Sequence, residues 1–72
     1  MRMTFDPDAD AAYFSIEDEI AAGAAIENVV IERNGKGEIV LDFDADGYLL
    51  GVEIIGATGL LHGSVLSTAE RL

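Results

Sequence analysis

The sequence predicts a mainly β fold of the α+β class, an antiparallel meander of about five strands with a short C-terminal helix. Three observations carry this expectation. Short runs alternate apolar and polar residues at the two-residue period of a half-buried strand. Asn-Gly and Asp-Gly pairs stand between runs rich in β-branched residues. Helical spacing of apolar residues occurs only near the C-terminus.

Met1, Met3 and Phe5 alternate with Arg2 and Thr4, which predicts the first strand. DPDAD, residues 6–10, ends it, because Pro7 cannot donate to a ladder and aspartates bond their own backbone in turns. Ala12, Phe14 and Ile16 alternate with Tyr13, Ser15 and Glu17, so a second strand returns against the first. The alanines of EDEIAAGAA, residues 17–25, suit a helix and Gly23 opposes one, so this segment is a connection. ENVVIER, NGKG and EIVLDF, residues 27–43, form the most legible hairpin, with Asn34-Gly35 suited to the positive φ of a tight turn. DADG and YLLGVEII, residues 44–55, continue the sheet, and Gly56, Gly59 and Gly63 then limit any helix to a turn or two. Ser64 is placed to cap a final helix, SVLSTAERL, whose Val65, Leu66, Ala69 and Leu72 form one stripe. So short a helix persists only if that stripe docks.

Seventy-two residues make one domain, residues 1–72. At this size a single core covers only about 60% of the surface the unfolded chain exposes. Half of the residues are hydrophobic, too many for a disordered acidic tail, and no cysteine is present to staple the fold. Pairing with a second copy is therefore the expected source of added stability, and a homodimer is predicted. The formal charge is −10, from 14 acidic and 4 basic residues, so nucleic acid and anionic lipid are repelled. The excess carboxylates first of all keep a small apolar domain soluble, and a small basic protein or a cation is the partner they would suit. The N-terminus lacks an apolar signal region and no run approaches 18 apolar residues. Cytoplasmic localisation is the expectation.

LDFDADGYLLGVE, residues 41–53, poses the main chemical question. Asp42, Asp44, Asp46, Gly47 and Glu53 match the spacing of a helix–loop–helix calcium loop, and Asp6, Asp8, Asp10 and Glu17 echo it with Ala11 in place of the glycine. Such a site needs flanking helices, and the flanks here are glycine-rich and strand-like. The alternative is a hairpin with the four-residue loop Asp44-Ala45-Asp46-Gly47 and Phe43 opposite Tyr48. That register gathers Ile39, Leu41, Phe43, Tyr48, Leu50, Val52 and Ile54 on one face. It sets Asp42 across from Leu49 and Glu53 about 13 Å further along, too far to share an ion. The hairpin is preferred, no cofactor is expected, and a calcium module using Asp42, Asp44 and Asp46 is the alternative.

The opposite face is expected to hold Val29, Ile31, Val40, Leu49 and Ile55 beside Asp42, Gly51 and Glu53, apolar enough to be covered by the C-terminal helix or by a second subunit. Gly51 in mid-strand fits either a bulge or the close approach of a backbone or aromatic ring. The inventory for catalysis is poor. His62 is the only histidine, it lies in a glycine-rich segment without a cysteine or lysine nucleophile nearby, and such histidines are mostly surface or helix-end residues. A small enzyme using His62 with a carboxylate is the second alternative.

FDPDADAAYFSI and LDFDADGYLLGVEII together resemble the uncharacterised prokaryotic family called domain of unknown function twenty-two eighty-three, through Phe5, Asp6, Ala9, Asp10, Tyr13, Asp44, Gly47, Gly51 and Glu53. The resemblance covers residues 1 to about 57 and departs from the family in the long NVVIERNGKGE hairpin and in the C-terminal tail. The family has no established activity or catalytic residues. Its genes often stand beside those of small toxin-like proteins, which implies an antitoxin-like partner role. The resulting expectation is a non-catalytic, acidic protein-interaction module, homodimeric, with Asp6, Asp10, Tyr13, Gly51 and Glu53 as interaction candidates and turn capping or core packing as their structural role.

Overall fold

The computed structural model describes residues 1–72. The chain forms β1 (Arg2–Asp6), β2 (Ala11–Ser15), β3 (Glu27–Arg33), β4 (Gly37–Phe43), β5 (Leu49–Ile55), α1 (Ala57–Leu60), α2 (Gly63–Leu66) and β6 (Glu70–Arg71). All six strands join one sheet in the order β3-β4-β5-β2-β1-β6, antiparallel except where β6 runs parallel to β1. The mainly β, α+β class is as expected. Within it the strand order is not sequential throughout, because β2 pairs with β5 rather than β3. Residues 16–26 make the crossing to the far edge, and the bond from Ile26 N–H to the Phe43 carbonyl (3.0 Å) leads them into β3.

The β1–β2 hairpin has the expected pattern: Phe5 opposes Ala12 and Met3 opposes Phe14. Asp6 holds its turn by accepting bonds from the N–H groups of Asp8 and Ala9. Phe5 and Ala12 form the core with Ala57 of α1 and Leu66 of α2, and Met3, Ile54, Leu61 and Ala69 pack around them. The two one-turn helices thus cover the β1–β2–β5 part of one face, with α1 reaching the start of β4. The molecule is 17 Å along its thinnest axis, little more than a sheet about 10 Å from a partial second layer. Six of the 72 residues are buried.

Three local expectations are corrected. The turn between β3 and β4 is a three-residue loop, Asn34-Gly35-Lys36, with Arg33 opposite Gly37, not a four-residue NGKG loop. That single residue of difference reverses the facing of β3. Val29 and Ile31 lie opposite Leu41 and Ile39, on the same face as the core, while Asn28 lies beside Asp42 and Val30 beside Val40. Residue 35 has φ 75°, the left-handed conformation anticipated for the Asn-Gly pair.

The second correction concerns the aspartate-rich turn. The Asp44 carboxylate accepts the N–H groups of Asp46 and Tyr48, and Asp44 N–H bonds the Tyr48 carbonyl, so the loop closes at Tyr48. Phe43 consequently opposes Leu49, and the register shifts by one between there and the Asp42–Gly51 pair. Leu50 is the extra residue of this bulge and is buried. Asp42 therefore faces Gly51 rather than Leu49, and Leu41 faces Val52. Tyr48, expected on the apolar face, is 71% exposed.

The third is the C-terminal helix. Gly63–Leu66 is its only turn, His62 occupies the N-cap position, and Ser64 does not cap it. The hydroxyls of Ser67 and Thr68 bond the carbonyls of Ser64 and Val65 at 3.0 and 2.7 Å, which competes with continuation of the helix. The chain then extends along β1, with Leu72 N–H bonding the Phe5 carbonyl. Of the predicted stripe, Leu66 and Ala69 dock, whereas Val65 and Leu72 are exposed.

Candidate functional site

The register of the sheet assembles a polar face opposite the core. Cross-strand neighbours run Val30, Val40, Glu53, Tyr13 and Thr4 in one row, and Asn28, Asp42, Gly51, Ser15 and Arg2 in the next. Tyr13 and Glu53 are direct partners on β2 and β5, and Gly51 lies two residues from Glu53 on the same face.

Tyr13 does not stand upright from the sheet. Its ring lies over Gly51, where a side-chain Cβ would come within 2.1 Å of the phenolic oxygen and 2.4 Å of Cζ. Absence of a side chain at residue 51 is therefore what lets the ring cross β5. The phenol donates to Oδ2 of Asp42 at 3.3 Å, and Asn28 Nδ2 donates to Oδ1 of the same carboxylate at 2.7 Å. A side-chain strap thus crosses four strands, from β2 over β5 to β4 and β3. Partial burial, then the negative charge of Asp42 with its hydrogen bond and the charge of Glu53, hold the Tyr13 phenol above its usual range. It remains a protonated donor at neutral pH and is not a candidate base.

Two hollows flank the ring. One, of about 300 Å³, is lined by Arg2, Thr4, Tyr13, Ser15, Asp18, Ile20 and Leu72. The other, of about 230 Å³, is lined by residues that include Asp6, Ala11, Tyr13, Glu53 and Leu72. The ion pairs of the chain are two, both exposed: the N-terminal amine with Asp18, and Arg2 with Glu70. Asp6, Asp42 and Glu53 thus have no cation of the chain's own.

Of the sequence-derived candidates, Asp6, Tyr13, Gly51 and Glu53 come together on this face. Asp10 does not. It sits at φ 51° at the end of the β1–β2 turn, where its carbonyl accepts the N–H groups of Gly56 and Ala57. Its carboxylate accepts the N–H and hydroxyl of Thr58 at 3.0 and 2.9 Å. Asp10 is therefore the cap of α1, supplied from a distant part of the chain. Sequence reasoning missed Asp42 and Asn28 as partners of Tyr13. The hint is Gly51, which in mid-strand fits the close approach of an aromatic ring; the β2–β5 pairing that identifies the ring is not a local feature.

The calcium-type spacing does not become a calcium-type loop. Strands β4 and β5 flank it, Asp44 is engaged by backbone amides, and Asp42 is bonded to Tyr13 and Asn28. No three His, Asp or Glu side chains converge. The observed register does bring Asp42 and Glu53 closer than expected, to diagonal positions about 7–8 Å apart. His62 is exposed and lines none of the cavities. No helix is long and apolar enough to cross a membrane.

Comparison with known families matches residues 2–57 to the model described as "Protein of unknown function (DUF2283)". The chain belongs to this family. The DUF2283 match spans β1 to β5 and stops at Ala57, the residue whose N–H is held by the Asp10 carbonyl. The Tyr13–Gly51–Asp42 strap lies wholly within it, and α2 and β6 lie outside it. No curated protein and no solved structure matches the chain.

Proposed function

We propose that this DUF2283 protein is a non-catalytic protein-interaction module, acting as a homodimer, whose polar face receives a basic segment of a small partner protein. The observation that supports it most is the Tyr13 ring reaching over Gly51 to the Asp42 carboxylate, with Glu53 as its cross-strand neighbour. An aromatic face bordered by carboxylates suits an arginine or lysine head group, through cation–π contact and charge-assisted hydrogen bonds. Ile20, Leu72 and Ala11 give the adjoining hollows apolar wall for the methylene stem. The −10 charge steers a basic partner toward this surface, as an antitoxin-like role would require.

Calorimetric titration with a short arginine-rich peptide tests the reading. Binding is expected to weaken with rising salt and to weaken further in Glu53→Lys than in Asp46→Lys, a reversal in the distant turn. Binding that is indifferent to salt and to Glu53→Lys would overturn the proposal.

A further inference from the structure

The two edges of the sheet differ. On one side β6 is two residues long, pairing with Thr4 and Phe5 of β1. On the other, β3 offers seven residues, all exposed, with Val29, Val30 and Ile31 at 41%, 52% and 44%. A long apolar edge with unpaired backbone groups is a template for another strand unless something covers it.

The direction of its free groups follows from the ladder. Leu50 carbonyl and Gly56 N–H bond toward β2 and its turn, so the backbone groups of Gly51, Glu53 and Ile55 face β4. Their partners Asp42, Val40 and Glu38 face β5, which turns Leu41, Ile39 and Gly37 toward β3. Val29, Ile31 and Arg33 are thereby bonded to β4, and Asn28, Val30 and Glu32 present N–H and C=O to the open edge.

That set is symmetric about Val30. An antiparallel copy centred there pairs Val30 with its own counterpart and Asn28 with Glu32 of the partner subunit, each through outward-facing groups. The same register places Glu27 against Arg33 of the partner subunit, and Val29 against Ile31 of the partner subunit, and the two-fold axis gives the Glu27–Arg33 link twice, once at each end. Opposite charges meet at both ends and apolar residues meet in the middle.

We infer that β3 is the homodimer interface, joining two copies into one continuous sheet by antiparallel self-pairing centred on Val30. This rests on the homodimer part of the proposed function and gives it a location; the Tyr13 face stays open. Because both copies use the same edge and the other edge is short, the pairing closes as a dimer instead of extending as a fibre.

Native mass and sedimentation of the full chain at micromolar concentration provide the test. The wild type is expected as a dimer. Val30→Pro removes an N–H that no intrachain bond uses and is expected to give a folded monomer. Glu27→Arg and Arg33→Glu should each weaken self-association roughly fivefold or more, and the two together should restore it. In the cysteine-free chain, Val30→Cys should form a disulfide-linked dimer on oxidation, whereas Glu32→Cys, far from its own copy in this register, should not. A monomeric wild type would overturn both the interface and the homodimer reading. A dimer that survives in Val30→Pro, or that crosslinks equally through Glu32→Cys, would overturn the interface alone.

Discussion

Replacing Gly51 by alanine tests the strap at its narrowest point. The added Cβ would stand 2.1, 2.4 and 2.9 Å from the Oη, Cζ and Cε2 atoms of Tyr13, so the ring must leave its place over β5. Its departure breaks the 3.3 Å bond to Asp42. A net hydrogen bond of this kind stabilises by about 1 kcal/mol, and any residual crowding adds to the loss. Against this, alanine is less costly than glycine to order in a strand by about 0.5–1 kcal/mol. Gly51→Ala alone should therefore be mildly destabilising, by about 0–2 kcal/mol, a figure too small to interpret by itself. The decisive quantity is the coupling. In a Tyr13→Ala background the clash and the bond are both gone, so the same substitution should be neutral or stabilising by up to about 1 kcal/mol. Urea unfolding of the four proteins at one fixed concentration, in the cycle of single and double variants, measures it. Equal effects of Gly51→Ala with and without Tyr13 would refute the claim that the glycine exists to admit the ring.

Tyr13 also gives a pH signature. Its phenol is raised in the folded state, so between the ordinary tyrosine range near 10 and the folded value the unfolded chain binds fewer protons and stability falls with rising pH. The contribution is fully present below the ordinary value, and Tyr13→Phe should flatten the alkaline decline in unfolding free energy while lowering it slightly at neutral pH. Asp10→Ala removes the acceptor of Thr58 N–H and hydroxyl and should cost about 1–2 kcal/mol by urea unfolding, with the peptide-binding surface unaffected. Millimolar calcium should leave the thermal midpoint of metal-stripped protein unchanged; a site occupied at 100 times its dissociation constant would instead add about 2.7 kcal/mol.

Parts of the architecture set by neighbours in sequence were legible. Met3 and Phe5 against Ala12 and Phe14, the Asn34-Gly35 turn, and the failure of the glycine-rich segment to make a long helix all depend on a few adjacent residues. What was not legible depended on counts of one. The loop after Arg33 has three residues, so Val29 and Ile31 face the core side, and the Asp44 carboxylate lengthens the next loop, so Leu50 bulges and Asp42 meets Gly51. Either change moves every side chain downstream in the register. The site suffered most from this, because Tyr13 reaches Asp42 only through the β2–β5 pairing, which joins segments with β3 and β4 between them in the chain. In the tail, Ser67 and Thr68 turned their hydroxyls to carbonyls that a longer helix would have used.

The central claim, that the Tyr13 face receives a basic segment, is met most directly by chemical-shift mapping. The backbone amides of the isotopically labelled protein would be followed during titration with the arginine-rich peptide at low and high salt. Saturable shifts are expected, concentrated at Thr4, Tyr13, Gly51 and Glu53, reduced by salt and lost in Glu53→Lys, with the Asn34-Gly35-Lys36 loop unmoved. Shifts spread evenly over all acidic positions, or none on the Tyr13 face, would contradict it.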